Sequence, residues 1–378
     1  MTALTCAESN VSRATPRRDN KQFGSRQVHA TKGNQRDNFH IAMWLLMCCA
    51  LVMGIVIIGG LTRLTGSGLS MVEWKPIVGL LPPLNDAEWQ TAFEMYRKSP
   101  EYRYVNIGMT VEGFQSIFWL EYIHRMIGRF IGVAFFVPFV YFWLRGKIAK
   151  GLLPRLAGMF LLGGAQGALG WFMVASGLAE DPHVSPYRLT AHLGLAVTIF
   201  IYMLWVALGL LGYARERADS DNPGLKHLAL ATTALAFVTI LSGGLVAGLK
   251  AGFAYNTFPL MGGKLIPDGI LALQPVWINF FDNIITAQFT HRVLAISVLT
   301  LVIALWASAR RRALSQATRT AINAMLAMAV IQVTLGISTL LLHVPIPLAS
   351  AHQAGAVLLL TTLLLVTHRL QAQHAPAT

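Results

Sequence analysis

The sequence predicts an all-α integral membrane protein with eight transmembrane helices, arranged as two pseudo-symmetric four-helix bundles that form a parallel repeat. Three observations carry this. The 378 residues are 54% hydrophobic and only 12% charged, a balance far from that of a soluble domain. Eight apolar runs are each long enough to cross about 30 Å of hydrocarbon, which takes roughly 20 helical residues. Four short motifs recur in the same order in the two halves of the chain.

The apolar runs fall at about 41–61, 123–143, 152–173, 189–211, 227–249, 287–306, 320–342 and 350–367. The last is short, which suits a helix that stands upright or leans on the bilayer interface. The net charge of +13 does not point to nucleic acid, because the basic residues sit in short clusters between apolar runs rather than on one folded face. Those clusters (Arg13 to Arg36, Arg145 to Arg155, Arg215 to Lys226, Arg310 to Arg319) mark every second connection, whereas the other connections carry Glu73, Asp86, Glu88, Glu94, Glu101, Asp181 and Asp268. The positive-inside rule then places both termini in the cytoplasm and the long 62–122 loop outside.

Residues 1–40 read as a cytoplasmic basic tail, disordered over 1–38 for want of apolar periodicity; an Arg-rich organellar transit peptide is the rival reading. No apolar stretch precedes residue 41, so no cleavable signal peptide is expected. A cytoplasmic linker at 212–226 joins an N-terminal half, 41–211, to a C-terminal half, 227–367, and 368–378 forms a second cytoplasmic tail. Cys6 lies in the polar tail while Cys48 and Cys49 lie inside the first run, so no disulfide framework is expected.

The repeat is read from motif order. Gly59-Gly60-Leu61 in the first run matches Gly243-Gly244-Leu245 in the fifth. His124-Arg125 opens the second run and His291-Arg292 the sixth. Gln166 and Gly170 in the third share their Gln-x-x-x-Gly spacing with Gln332 and Gly336 in the seventh, and Ala191-His192 and Ala351-His352 open the fourth and eighth. An even number of spans per repeat means that both halves enter the membrane from the same side. Matching residues therefore lie at matching depths, and the four histidines share the outer leaflet.

Ionisable residues inside membrane spans are costly and are kept for function, and imidazole is the commonest side-chain metal ligand. A lone intramembrane His can simply hydrogen-bond a neighbouring helix; two pairs repeated across a duplication point instead to ligation. Histidines on different helices of a four-helix bundle can meet across its core and hold a planar cofactor, for which heme is the natural candidate. Two His per half are too few for a structural zinc site. Gly59, Gly60, Gly243 and Gly244 would leave space for a macrocycle or simply let helices pack. Arg125 and Arg292 could pair with heme propionates or snorkel to lipid headgroups. The aromatics of the long loop, Trp74, Trp89, Tyr96, Tyr102, Tyr104 and Trp119, indicate proximity to the bilayer interface.

The halves differ at one telling position. Glu121 stands three residues before His124, and its counterpart before His291 is Gln288. On a helix these positions share a face, so Glu121 would look toward the pocket of His124 and could accept or relay protons there. Gln288 cannot, which makes the first half the one suited to chemistry and the second an inert holder. An interfacial anchor is the bland alternative for Glu121.

The stretches Gly-Gly-Leu-Thr-Arg-Leu-Thr-Gly-Ser-Gly-Leu-Ser (59–70), Glu-Tyr-Ile-His-Arg-Met-Ile-Gly-Arg (121–129) and Phe-Thr-His-Arg (289–292) resemble the heme A synthase family over roughly 41–367. The first stretch, with Trp74-Lys75-Pro76 and the long loop after it, is similar to the type 2 branch of proteobacteria and mitochondria. The resemblance implies an oxidoreductase that converts the C8 methyl of heme O to the formyl of heme A through an alcohol, for use in terminal oxidases. It implies heme b as cofactor on His291 and His352, heme O received through His124 and His192, and Glu121 as the catalytic acid. It also implies heme O synthase as an upstream partner, an electron donor that the sequence does not name, and a bacterial inner membrane, with the mitochondrial inner membrane as the other setting. Some bacterial members carry paired cysteines in an external loop, and this chain has none there. The rival readings are a b-type membrane cytochrome that passes electrons between a quinol and a partner and, more weakly, a transporter gated by its two halves.

Overall fold

The structure, a computed structural model, describes residues 21–72, 81–177, 184–211, 219 and 222–371, with side chains from Gln35 onward. Trp74-Lys75-Pro76, Glu73, Asp181, Cys6, residues 1–20, most of the linker and the end of the C-terminal tail lie outside the described residues. Among the described residues, eight helices are long and apolar enough to cross a membrane. They are α1 (Lys21–Leu64), α2 (Val111–Leu144), α3 (Leu153–Gly177), α4 (Pro186–Leu210), α5 (Pro223–Gly248), α6 (Ile284–Arg310), α7 (Gln316–Leu341) and α8 (Ile346–Arg369). There is no β-strand among the described residues, only a single isolated bridge between Met261 and Lys264.

Three helices depart from the sequence expectation. The tail expected to be disordered to residue 38 is helical from Lys21. No proline interrupts 21–64, so a helix begun in the apolar run gains one hydrogen bond for each residue it adds backward, and an ion pair of 3.4 Å from Lys147 to Asp37 holds that extension against the α2–α3 turn. Helix α2 starts at Val111, well before the apolar run, because Thr110 caps it by accepting from Gly113 N and the loop packs on its first turns. Helix α8 is not short: it has 24 residues, with a proline in its first turn and an end at Arg369. The long helices also take in His40, His227 and His368, at the ends remote from the repeated histidines by chain direction.

Helix contacts run in two closed sets. In the first, α1 touches α2 and α4, and α3 bridges α2 to α4; in the second, α5 touches α6 and α8, and α7 bridges α6 to α8. Across the two sets, α1 meets α8, α4 meets α5, and α4 meets α8. Buried Ile41, Leu45, Phe200 and Ala207 centre the first core, which Leu360 and Leu364 of α8 join, while Val302, Leu305, Met325 and Leu363 centre the second. Outward-facing Phe130, Val133 and Leu161 are largely exposed, as suits helices whose outer faces meet lipid rather than water.

The long loop is a folded cap. Its helix Asp86–Arg97 presents Trp89, Phe93 and Tyr96 at helical spacing, and these pack with Phe114 and Phe118 of α2 into a small core that Tyr102 adjoins. Trp89 and Tyr96 are therefore buried rather than interfacial, whereas Tyr104 is exposed. The free thiols of Cys48 and Cys49 are buried in α1.

Candidate functional site

Each of the four repeated histidines lies against a glycine of the neighbouring helix. A Cβ built on Gly59 would stand 2.9 Å from Cε1 of His124, and one on Gly170 2.9 Å from Cε1 of His192. In the second half the same construction gives 3.2 Å from Gly243 to His291 and 2.8 Å from Gly336 to His352. Each glycine is thus the seat of an imidazole, since a methyl group there would displace the ring. The second glycine of each pair serves the contact between halves: Gly60 admits Gln353 of α8, whose Nε2 donates to Val56 O at 2.7 Å, and Gly244 admits Thr190 and Leu193 of α4.

The Gln-x-x-x-Gly spacing sets a glutamine one turn from the glycine seat. Gln166 Nε2 donates to the main-chain oxygen of His192 at 3.1 Å and lies 3.2 Å from its Nδ1; Gln332 Nε2 does the same for His352, at 2.9 and 3.1 Å. His291 Nδ1 is 2.8 Å from Ser242 Oγ, which leaves Nε2 of that ring available to a metal. The rings of His291 and His352 stand nearly perpendicular, at 87°, with centroids 6.5 Å apart. Two imidazoles on opposite sides of one metal, with metal–nitrogen bonds of about 2.0 Å, place their centroids about 6.3 Å apart. The observed centroid separation is close to that value. Two side chains supply only two ligands, so any metal held here would need the rest from a group that brings its own, as a porphyrin does.

Buried polar atoms without a partner mark the same region. They include His124 Nδ1, Gln166 Oε1 and Thr190 Oγ1 in the first half, and Gln332 Oε1, Ser350 Oγ and Arg292 Nε in the second. Such atoms are rare in a folded interior, and here Gln166 matches Gln332 and Thr190 matches Ser350, each two residues before its histidine. Sequence reasoning passed over Thr190, Ser350 and Ser242, although Thr-Ala-His and Ser-Ala-His occupy the same register of the repeat.

The Glu121 and Gln288 positions differ in polarity as well as charge. Buried Glu121 accepts from Ser70 Oγ at 2.7 Å, from Met71 N at 2.9 Å and from Arg125 Nη2 at 2.5 Å. Arg125 also donates to Met71 O. Gln288 donates through Nε2 to Ala251 O at 2.9 Å and Tyr255 O at 3.2 Å, and only its Oε1 accepts, from Arg292. Arg292 donates further to Thr257 O and Tyr255 O, both at 2.8 Å. The first pocket supplies donors and requires an acceptor; the second supplies carbonyls and requires a donor. The structure brings Glu121 together with Arg125 and the chain after α1, and its hydrogen bonds go there rather than to His124. Ser70, its partner from that loop, carries no sequence signal of its own.

A membrane helical protein with a duplicated set of glycine-seated histidines, one of each pair braced by a glutamine, and with the buried acid Glu121 at the first only of the two matched positions, is the class that this fold and site define. Residues 42–364 match the cytochrome oxidase assembly protein family, COX15-CtaA, and the chain belongs to that family. It is 53% identical to the heme A synthase of Nitrosospira multiformis over 88% of this chain and 94% of that protein. It is 51% identical to the heme A synthase of Paramagnetospirillum magneticum over 93% and 98% of the two chains. It is 44% identical to the heme A synthase COX15 of Arabidopsis thaliana over 88% of this chain and 74% of that one.

Proposed function

We propose that this protein is a heme A synthase, an oxidoreductase that takes heme O as substrate and oxidises its C8 methyl group, by two-electron steps through the alcohol, to the formyl group of heme A. The observation that carries the reading is the asymmetry within the duplication: both halves have a seated histidine pair, but only the first has an acid, Glu121, held in a pocket of donors. We take the two closed sets of helices as two bundles, with heme O held through His124 and His192 in the first. His291 and His352 would hold heme b in the second, where it supplies a redox centre for electrons passing to or from the substrate. Glu121, oriented by the donors Ser70 Oγ, Met71 N and Arg125 Nη2, takes up the proton released as the methyl is oxidised. Arg292, whose Nε is buried without a partner, suits a propionate, while Arg125 is committed mainly to Glu121. Heme O synthase is the source of substrate and a separate donor or acceptor handles electrons. The setting is a bacterial inner membrane, with both termini in the cytoplasm.

Pigment extraction from purified protein tests this. Heme B together with heme O or heme A is the expected result; heme B alone at two equivalents would make the protein a b-type cytochrome that passes electrons and nothing more. The glycine seats give a second expectation. Gly336→Ala places a methyl 2.8 Å from Cε1 of His352 and is expected to lower heme b content several-fold, whereas Gly163→Ala, with nothing within 4 Å, leaves it unchanged. Equal heme content in the two variants would remove the seat from the account.

A further inference from the structure

Where α6 ends and α7 begins, at the ends of both helices remote from the repeated histidines, the chain borders a cavity of about 400 Å³, a size typical of a small-ligand cleft. Its floor is apolar, with Ala309 of α6 and Ile322 of α7 both buried. Its rim is polar and basic, made by Trp306 and Arg310 of α6 and Arg319 and Asn323 of α7. Among the described residues no carboxylate lines it.

Each polar group of the rim is held in a way that leaves a donor unused. Arg310 lays its guanidinium over the Trp306 ring, 5.0 Å from the centroid, and forms no hydrogen bond or ion pair among the described residues. Trp306 is fixed in turn by donating Nε1–H to Asn323 Oδ1 at 3.0 Å, which leaves both hydrogens of the Asn323 amide nitrogen available. Arg319 donates from Nε to Leu314 O at 3.3 Å and from Nη2 to Arg312 O at 2.8 Å, so the turn positions its guanidinium and Nη1 is left over. The carboxylate bonded to this turn is Asp219, and it is already filled. Buried Asp219 accepts from Ser315 N, Ser315 Oγ and Thr318 Oγ1 at 2.8, 2.7 and 2.7 Å, which locks the start of α7 and leaves both rim arginines without a counter-charge.

Two preset guanidinium groups and an amide around one cavity, with no negative charge to answer them, form the donor set that a phosphate satisfies. We propose that the cavity is a phosphate-ester site filled by an anionic phospholipid, whose phosphate is bridged by Arg310 and Arg319 with Asn323 Nδ2 as a third donor. The glycerol end of the lipid lies against Ala309 and Ile322. Three features favour a lipid over a soluble phosphate. The floor is apolar, which a bare anion would leave unused; Trp306 is of the residue type enriched where a span meets the headgroups; and the cavity sits beside Arg311 and Arg312, in a basic cluster at the end of two spans that draws anionic headgroups. A choline headgroup would bring a cation to two arginines with no carboxylate to receive it. The site therefore selects among phospholipids by headgroup charge, and it does so independently of any heme.

Native mass spectrometry of the purified full-length protein in an uncharged detergent, titrated with dioleoyl phosphatidylglycerol or dioleoyl phosphatidylcholine, tests the site. The natural protein is expected to hold its tightest phosphatidylglycerol about tenfold or more tightly than phosphatidylcholine, the scale set by two arginines at a membrane surface. Arg310→Gln and Arg319→Gln should each lose most of that preference. Arg311→Gln removes the same charge from the same turn at a residue that does not line the cavity, and it should keep the preference. Since the Arg310 side chain makes no hydrogen bond, Arg310→Gln stands as a test whether or not Arg319→Gln folds. Equal retention of the two lipids by the natural protein, or a preference lost as fully in Arg311→Gln as in Arg310→Gln, overturns the site. Glycerol 3-phosphate, added at the concentration of the lipid, represents the soluble source and is expected not to displace it. Displacement would keep the phosphate site and overturn the lipid as its occupant.

Discussion

Replacing Glu121 with glutamine is expected to lower heme A formation by about 10²-fold or more, the usual contribution of a positioned acid or base, while heme b content stays close to that of the natural protein. The change makes the first half imitate the second, where Gln288 already occupies the matched position. The imitation is chemically incomplete. Gln288 sits among the carbonyls of Ala251 and Tyr255, so its amide group has acceptors, whereas Glu121 faces Ser70 Oγ, Met71 N and Arg125. An amide at 121 must turn its Nε2 toward one of these donors, and a buried unsatisfied donor costs about 1–3 kcal/mol. That cost falls on the chain after α1 and not on α6 or α8, which is why the second site should keep its heme. Heme extraction and chromatography would read both quantities, and unreacted heme O or the alcohol should accumulate. Heme A at the normal rate would reduce Glu121 to an anchor; loss of heme b as well would make it structural and end the division of labour between the halves.

The eight spans and the order of the repeat are legible in the sequence because hydropathy and short motifs are local properties. The ends of helices are less so. Residues 111–122 contain Glu112, Gln115, Ser116 and Glu121, which interrupt the hydropathy of α2 without interrupting its helix, since the aromatic cap covers one side of that extension. The cap could have been read from the spacing of Trp89, Phe93 and Tyr96, which is that of an amphipathic helix and not of scattered interfacial anchors. At the site, the histidines and Glu121 are readable by type and register, and Gly170 and Gly336 stood out as part of the repeat without their purpose being visible. What a sequence cannot display is the partner of Glu121: Ser70 is 51 positions away, in a loop whose course depends on the packing of α1 and α2. Glu101 is hidden for the same reason, being one acid among several in a loop until the fold buries it.

Replacing His291 or His352 with alanine is expected to abolish the bis-histidine low-spin spectrum and to lower heme b content at least tenfold, whereas His124→Ala should leave that spectrum in place. The geometry behind the expectation is specific to this pair. Their centroids stand at 6.5 Å, close to the separation that one shared iron imposes, so under the proposed ligation loss of either ring would leave the iron with a single protein ligand. His291 is turned by Ser242 at 2.8 Å and seated on Gly243, and His352 is braced by Gln332 and seated on Gly336. Neither ring can swing to replace the other, because each is held by its own helix pair. No carboxylate stands at the position matched to Glu121, which is Gln288, and its amide is already engaged with Ala251 and Tyr255. Optical spectra of the reduced proteins, with extracted heme as the measure of occupancy, would decide the matter. A low-spin spectrum that persists in both single variants places the resident heme elsewhere; one that disappears in His124→Ala but persists in His291→Ala exchanges the roles of the two halves, and would leave the acid beside the resident heme rather than beside the substrate.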